Sequence, residues 1–548
     1  MQDAASITGS PIYKPLMSIL YYPMSESVTL SLKTAAKGTA FVLAGMAGSQ
    51  ALWFVTRLLI VRNLSTEDLG IYSLATAIGG IVSLIASMGL WEGATRYVSI
   101  FAAEGRAEDV ESVRRSSLAI GAISGAAACA VVFLLSRVLS EYVFYKPGLA
   151  DPLMVIAFSV PAYVMAYILT SIIRGHGIIN PKVYFMDVGQ PLIFLILLLI
   201  IFILSLPFVS IFCAYVLSMA AVFVLTAWYG QGALGIRPLA LNGGRHIREL
   251  LRFSVPVAAI DAMTQLYRSA DTLMLGRYGS AEELGAYSVS VSLAAFLTLP
   301  LVSLDIVYMP IAGELYARRS PAELSRTYRV LTKWIFSVTL PLFFILFFFP
   351  EMTITFLFGD RFVASASPLR VLSLGYLVNA FLGTNAMLLL VMGRSGTVMK
   401  VFAAGTMLNV LMNYILIKHA GLGLQGAAIS SMVSIVTISL GCSFVLYRLS
   451  GIHPLSSAYL KPVTGSAIIG VAIYAAAKGL PLYFWILPVY FLLYICGYLA
   501  SLILTRSLDA EDVFLFSEIL KRAGVEPETT RRIMKKIRMG NTGQIDER

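Results

Sequence analysis

Charge is scarce in this chain. Of its 548 residues only 13% are Asp, Glu, Lys or Arg, where a soluble domain carries about 25%. A globule in water would have too little polar surface to cover itself. Cysteine is scarce too: Cys129, Cys213, Cys442 and Cys496 all fall in apolar stretches, with no Cys-x-x-Cys spacing. They read as small buried hydrophobes, so neither a disulfide framework nor a thiolate metal centre is expected. The four histidines, His176, His246, His419 and His453, are scattered singly, so no imidazole cluster offers itself to a metal. A Walker A sequence is missing, so ATP is not expected to drive any work within this chain. "GLGLQG" (Gly421 to Gly426) matches Gly-x-Gly-x-x-Gly, but it joins two apolar stretches instead of following a soluble strand. It reads as a turn with close helix packing, and no cofactor is expected. No cleavable signal peptide is recognisable: "LMSILYYP" at 16–23 is too short for an apolar h-region.

What the chain has in abundance is apolar length. Hydrophobic residues make up 58% of it, and the mean hydropathy is +0.81. Apolar runs of about 20 residues, each able to cross a bilayer core, recur along nearly all of it. Fourteen spans are expected, from 38–61 to 482–505, joined by short loops with no inserted soluble domain. This is the pattern of an all-α polytopic membrane protein. A net charge of +11 would suggest nucleic acid in a soluble protein. Here the placement of the cations explains it. With the N-terminus inside, eight of the 41 Lys and Arg fall on the outer side: Arg62, Arg137, Lys146, Arg277, Arg361, Arg370, Lys418 and Lys478. Arg57, Arg96 and Arg268 lie within spans, and the rest are cytoplasmic. That positive-inside bias predicts a multi-pass protein of the cell membrane with both termini in the cytoplasm, and no nucleic-acid partner.

One short stretch occurs twice. "STEDLGIYSLA" (Ser65 to Ala75) returns as "SAEELGAYSVS" (Ser280 to Ser290), 215 positions later. The same offset pairs Arg62 with Arg277 and Gln50 with Gln265. Six spans separate the copies, an even number, so the two halves share one orientation, the parallel-repeat design of many transporters. The expected organisation is a cytoplasmic arm at 1–36, an N-lobe of spans one to six at 37–230 and a cytoplasmic linker at 231–250. A C-lobe of spans seven to twelve at 251–447, two further spans within 448–505 and a basic tail at 506–548 follow. Each repeated turn fits a capping box, Ser65 with Asp68 and Ser280 with Glu283. Their acids face the positive end of a helix dipole, and Gly70 and Gly285 permit close helix approach. Both are expected as helix starts on the outer face and not as ligand sites.

The block "GTAFVLAGMAGSQALWFVTRLLIVRNLSTEDLGIYSLA" (38–75) resembles the polysaccharide-transporter branch of the multidrug/oligosaccharidyl-lipid/polysaccharide (MOP) exporter superfamily. "GLQGAAIS" (Gly423 to Ser430) is similar to small-residue span openings in that branch. The resemblance implies a flippase that moves a polyprenyl- or dolichyl-linked oligosaccharide or polysaccharide precursor to the outer leaflet. It implies two six-helix lobes around a central cavity, alternating between inward-open and outward-open forms. The implied partners are the lipid-linked glycan, membrane lipids, and H+, Na+ or the membrane potential as driving force.

Charges within spans mark the candidate site, since each costs about 2.5–3.5 kcal/mol at mid-membrane on insertion scales and tends to face a bundle interior. In the seventh span Asp261, Gln265, Arg268 and Asp271 fall on one stripe at about 100° per residue. Gln50 and Arg57 share a face of the first span, its repeat equivalent, so the two stripes are expected to meet across the cavity. Arg57 and Arg268, with Gln50 and Gln265, are the substrate-binding candidates, because guanidinium suits a diphosphate or acidic sugar. Asp261 and Asp271 are candidates for ion coupling or for cavity acids. The competing reading makes Arg268 a structural counter-ion of Asp261 or Asp271. Second-rank cavity candidates are Glu92 and Arg96, spaced as an i,i+4 ion pair, together with Asp187 and Asp305. A cation-antiport drug exporter would be expected to carry acids without arginines. A peptidoglycan or teichoic-acid precursor is an alternative cargo that these residues do not separate. A membrane glycan polymerase needs a large outer loop, which is missing, so an enzyme is not expected. In the tail, 509–524 reads as a capped helix, and basic 531–539 either rests on the anionic inner leaflet or is solvated.

Overall fold

In hydrocarbon a backbone must satisfy its own hydrogen bonds, which for apolar runs of this length means helices. The computed structural model describes residues 26–178, 180–236, 245–454, 460–478 and 486–504, and every regular element among them is helical. The tail segments 509–524 and 531–539 lie outside the described residues.

Among the described residues fourteen rods run in series. The first is Glu26–Asn63. The second to sixth are Thr66–Ala103, Ala107–Val143, Pro147–Gly175, Lys182–Ile203 and Ser210–Leu234. The seventh is Ile247–Tyr278. The eighth begins as Ala281–Ala294, passes a short 3-10 turn and ends as Leu299–Ala317. The ninth is Pro321–Phe348, and the tenth is Ala366–Leu382 bent by 42° into Asn385–Val391. Ser395–His419 and Gly423–Ser450 are the eleventh and twelfth, and Leu460–Lys478 and Leu487–Leu504 close the series. Nine of them are long and apolar enough to cross a membrane as single helices, ten with the bent tenth, among the described residues. The seventh is not, because Asp261, Gln265 and Arg268 dilute it.

Two further breaks depart from the expected spans. The ninth span stops at Phe348, not near 357, and a separate short helix, Pro350–Phe358, follows. Pro350 disfavours helical backbone at the residue before it, and Phe349 leaves the helix at φ −124, ψ 45. The second span breaks after Ser87, where Met88 and Gly89 are both left-handed. A side chain at Gly89 would sit 2.3 Å from the Ser254 carbonyl oxygen, so the glycine admits the start of the seventh span.

The two repeated turns stand at one end of the bundle, here the turn end, and the linker end lies opposite. Both turns cap helices, but not identically. At the second, Glu283 N donates to Ser280 Oγ and Ser280 N donates to Glu283 Oε2, both at 3.0 Å, a complete box. At the first, Asp68 N donates to Ser65 Oγ at 3.0 Å, and the Ser65 hydroxyl itself binds Asp68 Oδ2 at 2.7 Å. Asp is one methylene shorter than Glu and does not reach back to the cap nitrogen. The helices these turns open cross at their glycines. A Cβ on Gly70 would lie 1.9 Å from Ala281 O, and one on Gly285 would lie 1.9 Å from Thr66 O. The two contacts are images of each other, so the two six-helix halves meet about a pseudo-two-fold through this point. The apolar core around it draws on both halves, with Leu69, Leu74, Leu284 and Tyr287 buried together. The last two rods pair with each other and lean on the ninth, where Tyr494 stacks on Phe344 at 4.0 Å.

Candidate functional site

Gln50 and Arg57 line a cavity of roughly 270 Å³ between the first and eighth spans. Trp53 and Phe54 on the same helix, Phe296 and Leu299 opposite, and Phe358 from the short helix complete an aromatic wall. Arg57 crosses this seam: its Nη2 donates to Ser288 Oγ at 2.8 Å, while its buried Nε has no acceptor. On the other side of the pseudo-two-fold, Gln265 of the seventh span faces Gly80 of the second, as Gln50 shares the cavity with Ala295, and the equivalent residues, Gln50 with Gln265 and Gly80 with Ala295, are 215 positions apart.

The polar stripe of the seventh span divides between neighbours. Asp261 leans on the first half, where Trp91 Nε1 donates to its Oδ2 at 3.2 Å. Gln265 Nε2 donates to Ser269 Oγ at 3.2 Å. Arg268 is exposed and makes no ion pair among the described residues, so it is not the counter-ion of Asp261 or Asp271. Nor does any contact join it to Arg57. Asp271 turns the other way, into the second half, and is buried. Its Oδ1 accepts from Asn409 Nδ2 at 3.0 Å and Asn413 Nδ2 at 2.8 Å. Its Oδ2 accepts from the Tyr287 hydroxyl at 2.6 Å and from Ser431. Asn413 Nδ2 also reaches Asn409 Oδ1 at 3.1 Å, and the buried Asn413 Oδ1 has no partner. A carboxylate is thus held by neutral groups from the eighth, eleventh and twelfth spans, with no ion-pair partner among the described residues. Four hydrogen bonds from neutral donors are what make burial of this carboxyl group tolerable.

The second-rank residues fall elsewhere. Glu92 and Arg96 do not pair. Arg174 of the fourth span takes Glu92 Oε1 at 3.2 Å and also reaches Thr95, while the Arg96 guanidinium lies 4.5 Å over the Phe253 ring. Asp187 is held by Lys182 Nζ, 3.2 Å from both oxygens, on a π-helical turn whose wider pitch brings i and i+5 together. Asp305 sits in the eighth span with its buried Oδ1 unpartnered. Sequence reading named Asp271 but missed Tyr287, Asn409, Asn413 and Ser431. The signal was there in part: an Asn pair four residues apart in an otherwise apolar span puts two amides on one face.

A family model described as polysaccharide biosynthesis protein matches residues 35–315, just over half of the chain. A second, described as MatE, matches 256–415. The chain is 21% identical over 419 residues to the uncharacterized membrane protein MJ1068 of Methanocaldococcus jannaschii, covering 73% of this chain and 81% of that protein. To the teichuronic acid biosynthesis protein TuaB of Bacillus subtilis it is 20% identical over 230 residues, 41% of this chain and 47% of that one. Among solved structures, the lipid II flippase MurJ in an inward closed conformation superposes with a TM-score of 0.69 at 14% identity, covering 85% of this chain and 99% of that one. An inward-facing multidrug resistance transporter of the MATE family superposes at 0.63 and 17% identity, covering 75% and 95%. At such identities the likeness is one of fold. The chain belongs to the polysaccharide biosynthesis protein family, and its fold is that of these solved transporters.

Proposed function

We propose that the protein is a flippase for an anionic lipid-linked glycan, working by alternating access of its two halves. The observation that carries this reading is Arg57, a guanidinium with an unspent donor at an aromatic-walled cavity in the seam between the first and eighth spans. Guanidinium binds phosphate through paired hydrogen bonds, and aromatic walls suit sugar faces or an isoprenoid chain. The seam lets a head group enter the cavity while its lipid tail stays in the bilayer. Arg268, exposed and unpaired, is a second cation for the same head group. The lobes are taken as 37–230 and 251–447 with 231–250 as linker, and the turn end as the outer face, in keeping with the positive-inside count. The linker end and both termini are then cytoplasmic. Lipid II, in the name of the flippase MurJ, is an anionic lipid-linked precursor, and the name of TuaB places it in the biosynthesis of an anionic polymer, which supports the sign of the charge. Asp271 is the coupling acid for H+ or Na+, and Asp261 is the second candidate. No enzymatic step is proposed.

The test is reconstitution in liposomes with a fluorescent lipid-linked oligosaccharide, with and without an ion gradient. Protein-dependent translocation that falls in Arg57→Ala and Arg268→Ala is expected. Clear exchange of cationic drugs with no movement of any lipid-linked glycan would sink the proposal. If Asp261→Asn and Asp271→Asn both left the pH and sodium dependence unchanged, the coupling assignment alone would fail.

A further inference from the structure

Around the glycine crossing, the two halves are tied at the turn end by cations, and none of those ties is an ion pair. Arg62 of the first half donates from Nε to Leu357 O at 2.7 Å and from Nη2 to Phe356 O at 2.9 Å in the second. Arg361 of the second half donates to the Arg62 carbonyl. Lys146, in the corresponding loop of the first half, donates to the Gly279 carbonyl at 2.9 Å. Arg277, the repeat partner of Arg62, lies 4.3 Å over the Tyr145 ring. Each half therefore reaches across with a cation from the loop before its fourth helix, and each touches the hairpin that opens the other half's second helix.

Asp68 and Glu283 cap their own helices. Glu67 and Glu283 lie within electrostatic range of Lys146 but not at ion-pair distance. Arg62, Lys146, Arg277 and Arg361 thus hold neutral carbonyls and a ring face, with their affinity for an anion unspent. A charge-assisted hydrogen bond to phosphate is roughly twice as strong as one to a neutral acceptor. Arg62 also lies five residues beyond Arg57 on one helix, about 7.5 Å along its axis.

We propose that Arg62, Lys146, Arg277 and Arg361 form an anion-keyed gate: they close the outer seam through backbone carbonyls and release it when the phosphate of the exported head group takes their place. The inference rests on the orientation and the cargo class proposed above. A head group held by Arg57 passes along the first span to Arg62, and each cation it captures removes one tie between the halves. The Gly70–Gly285 crossing is an uncharged contact and does not answer to the anion. It sets where the seam closes, while the cations set when it opens. A neutral glycan lacks the key and leaves the outer seam shut.

The experiment is a distance measurement by pulsed electron resonance on the full chain in nanodiscs. Spin labels go on exposed Tyr142 and Val363, one in each half, with the native cysteines replaced. Inorganic pyrophosphate, and separately a lipid-linked diphosphate, should raise the long-distance population several-fold, whereas maltose should not. Lys146→Gln with Arg361→Gln should show the long distance without any anion and no further response. Lys146→Arg with Arg361→Lys should restore both closure and response, which separates the effect from misfolding. An unchanged distribution with both phosphates, or an equal response to maltose, overturns the gate. So does opening by bulk anionic phospholipid alone with no answer to pyrophosphate. If the liposome assay finds no glycan transport while pyrophosphate still opens the seam, the cargo reading fails and the gate stands.

Discussion

The helix ahead of the first acidic turn carries Thr56 and Arg57, and Arg57 lies in electrostatic range of Tyr72. The helix ahead of the second turn, 215 positions on, carries Asp271, whose Oδ2 binds the hydroxyl of Tyr287, the repeat partner of Tyr72. Thr56 and Asp271 are equivalent positions. The backbone around them is shared: both turns cap a helix, both glycines make the same crossing, and both loops send a cation across. The charge beside the tyrosine is not shared. The repeat keeps the backbone of the crossing, while the interior carries a guanidinium on one side and a carboxyl group on the other. The Arg57 side opens to the seam. The Asp271 side is sealed by amides and hydroxyls. Under the proposed function, a large head group needs such access and a small ion a close cage.

The strongest way to break this comparison is Asp271→Asn. The change keeps the shape but supplies an amide where four donors point, so a bound H+ or Na+ loses its charge partner. Gradient-driven transport should drop to background, with downhill exchange measured in the same liposomes retained. Unaltered uphill transport would place the coupling acid elsewhere. On the other side, Arg57→Ala removes a charge-assisted bond worth about 1.5–3 kcal/mol, or roughly 10- to 100-fold in head-group affinity. Arg57→Lys should recover only part of it, because a point charge lacks the paired geometry. A variant whose affinity for a diphosphate head group matched the parent would move the cargo site away from the seam.

What could be read in the sequence was what the local backbone decides. The capped turns, the helix starts and the two crossing glycines follow from residues within four positions of one another. The polar stripe of the seventh span was visible too, but its division was not, since that depends on Trp91 on one side and on Asn409 and Asn413, 138 and 142 positions away, on the other. Glu92 and Arg96 show the limit clearly. Helical spacing makes them neighbours, yet Arg174 from another helix wins Glu92, and Phe253 takes Arg96 by its ring face. Spacing proposes a pair, and tertiary competition decides it. The short helix after Pro350 was hidden because an apolar run does not reveal that it bends.

The shared half of the comparison predicts equal penalties. Gly70→Ala and Gly285→Ala each place a methyl 1.9 Å from a carbonyl oxygen of the facing helix, and overpacking of this kind typically costs about 1–3 kcal/mol. Both should lower the thermal midpoint in detergent by the same amount, and the pair together should cost less than twice as much, because the first methyl already spreads the crossing. Loss of stability from one glycine alone would mean that the pseudo-two-fold does not govern this contact.

The smallest expected effect contrasts the two ends of the bundle. At the linker end the start of the seventh span is latched to the first half through His246, whose Nε2 lies 2.7 Å from Asp109 and whose Nδ1 lies 2.9 Å from Glu249. Arg245 N adds a bond to Ser112 Oγ at 2.9 Å. Asp109 chiefly, then Glu249, raises the His246 pKa above its ordinary 6.5, against some desolvation. His246 in turn is the main reason that Asp109 is held below the usual carboxylate range. Because the latched pKa is raised, the latch is fully formed below the ordinary value and weakens as pH climbs through the raised one. Hydrogen exchange at 247–258, corrected for its intrinsic pH dependence, should therefore show protection at pH 6 that falls a few-fold by pH 8.5, a modest change because the groups are partly solvated. His246→Gln should flatten the profile. The ties at the turn end involve no histidine, so protection at 62–72 and 277–287 should stay level. A matching fall at both ends would show that pH loosens the whole bundle and that His246 is not a separate latch.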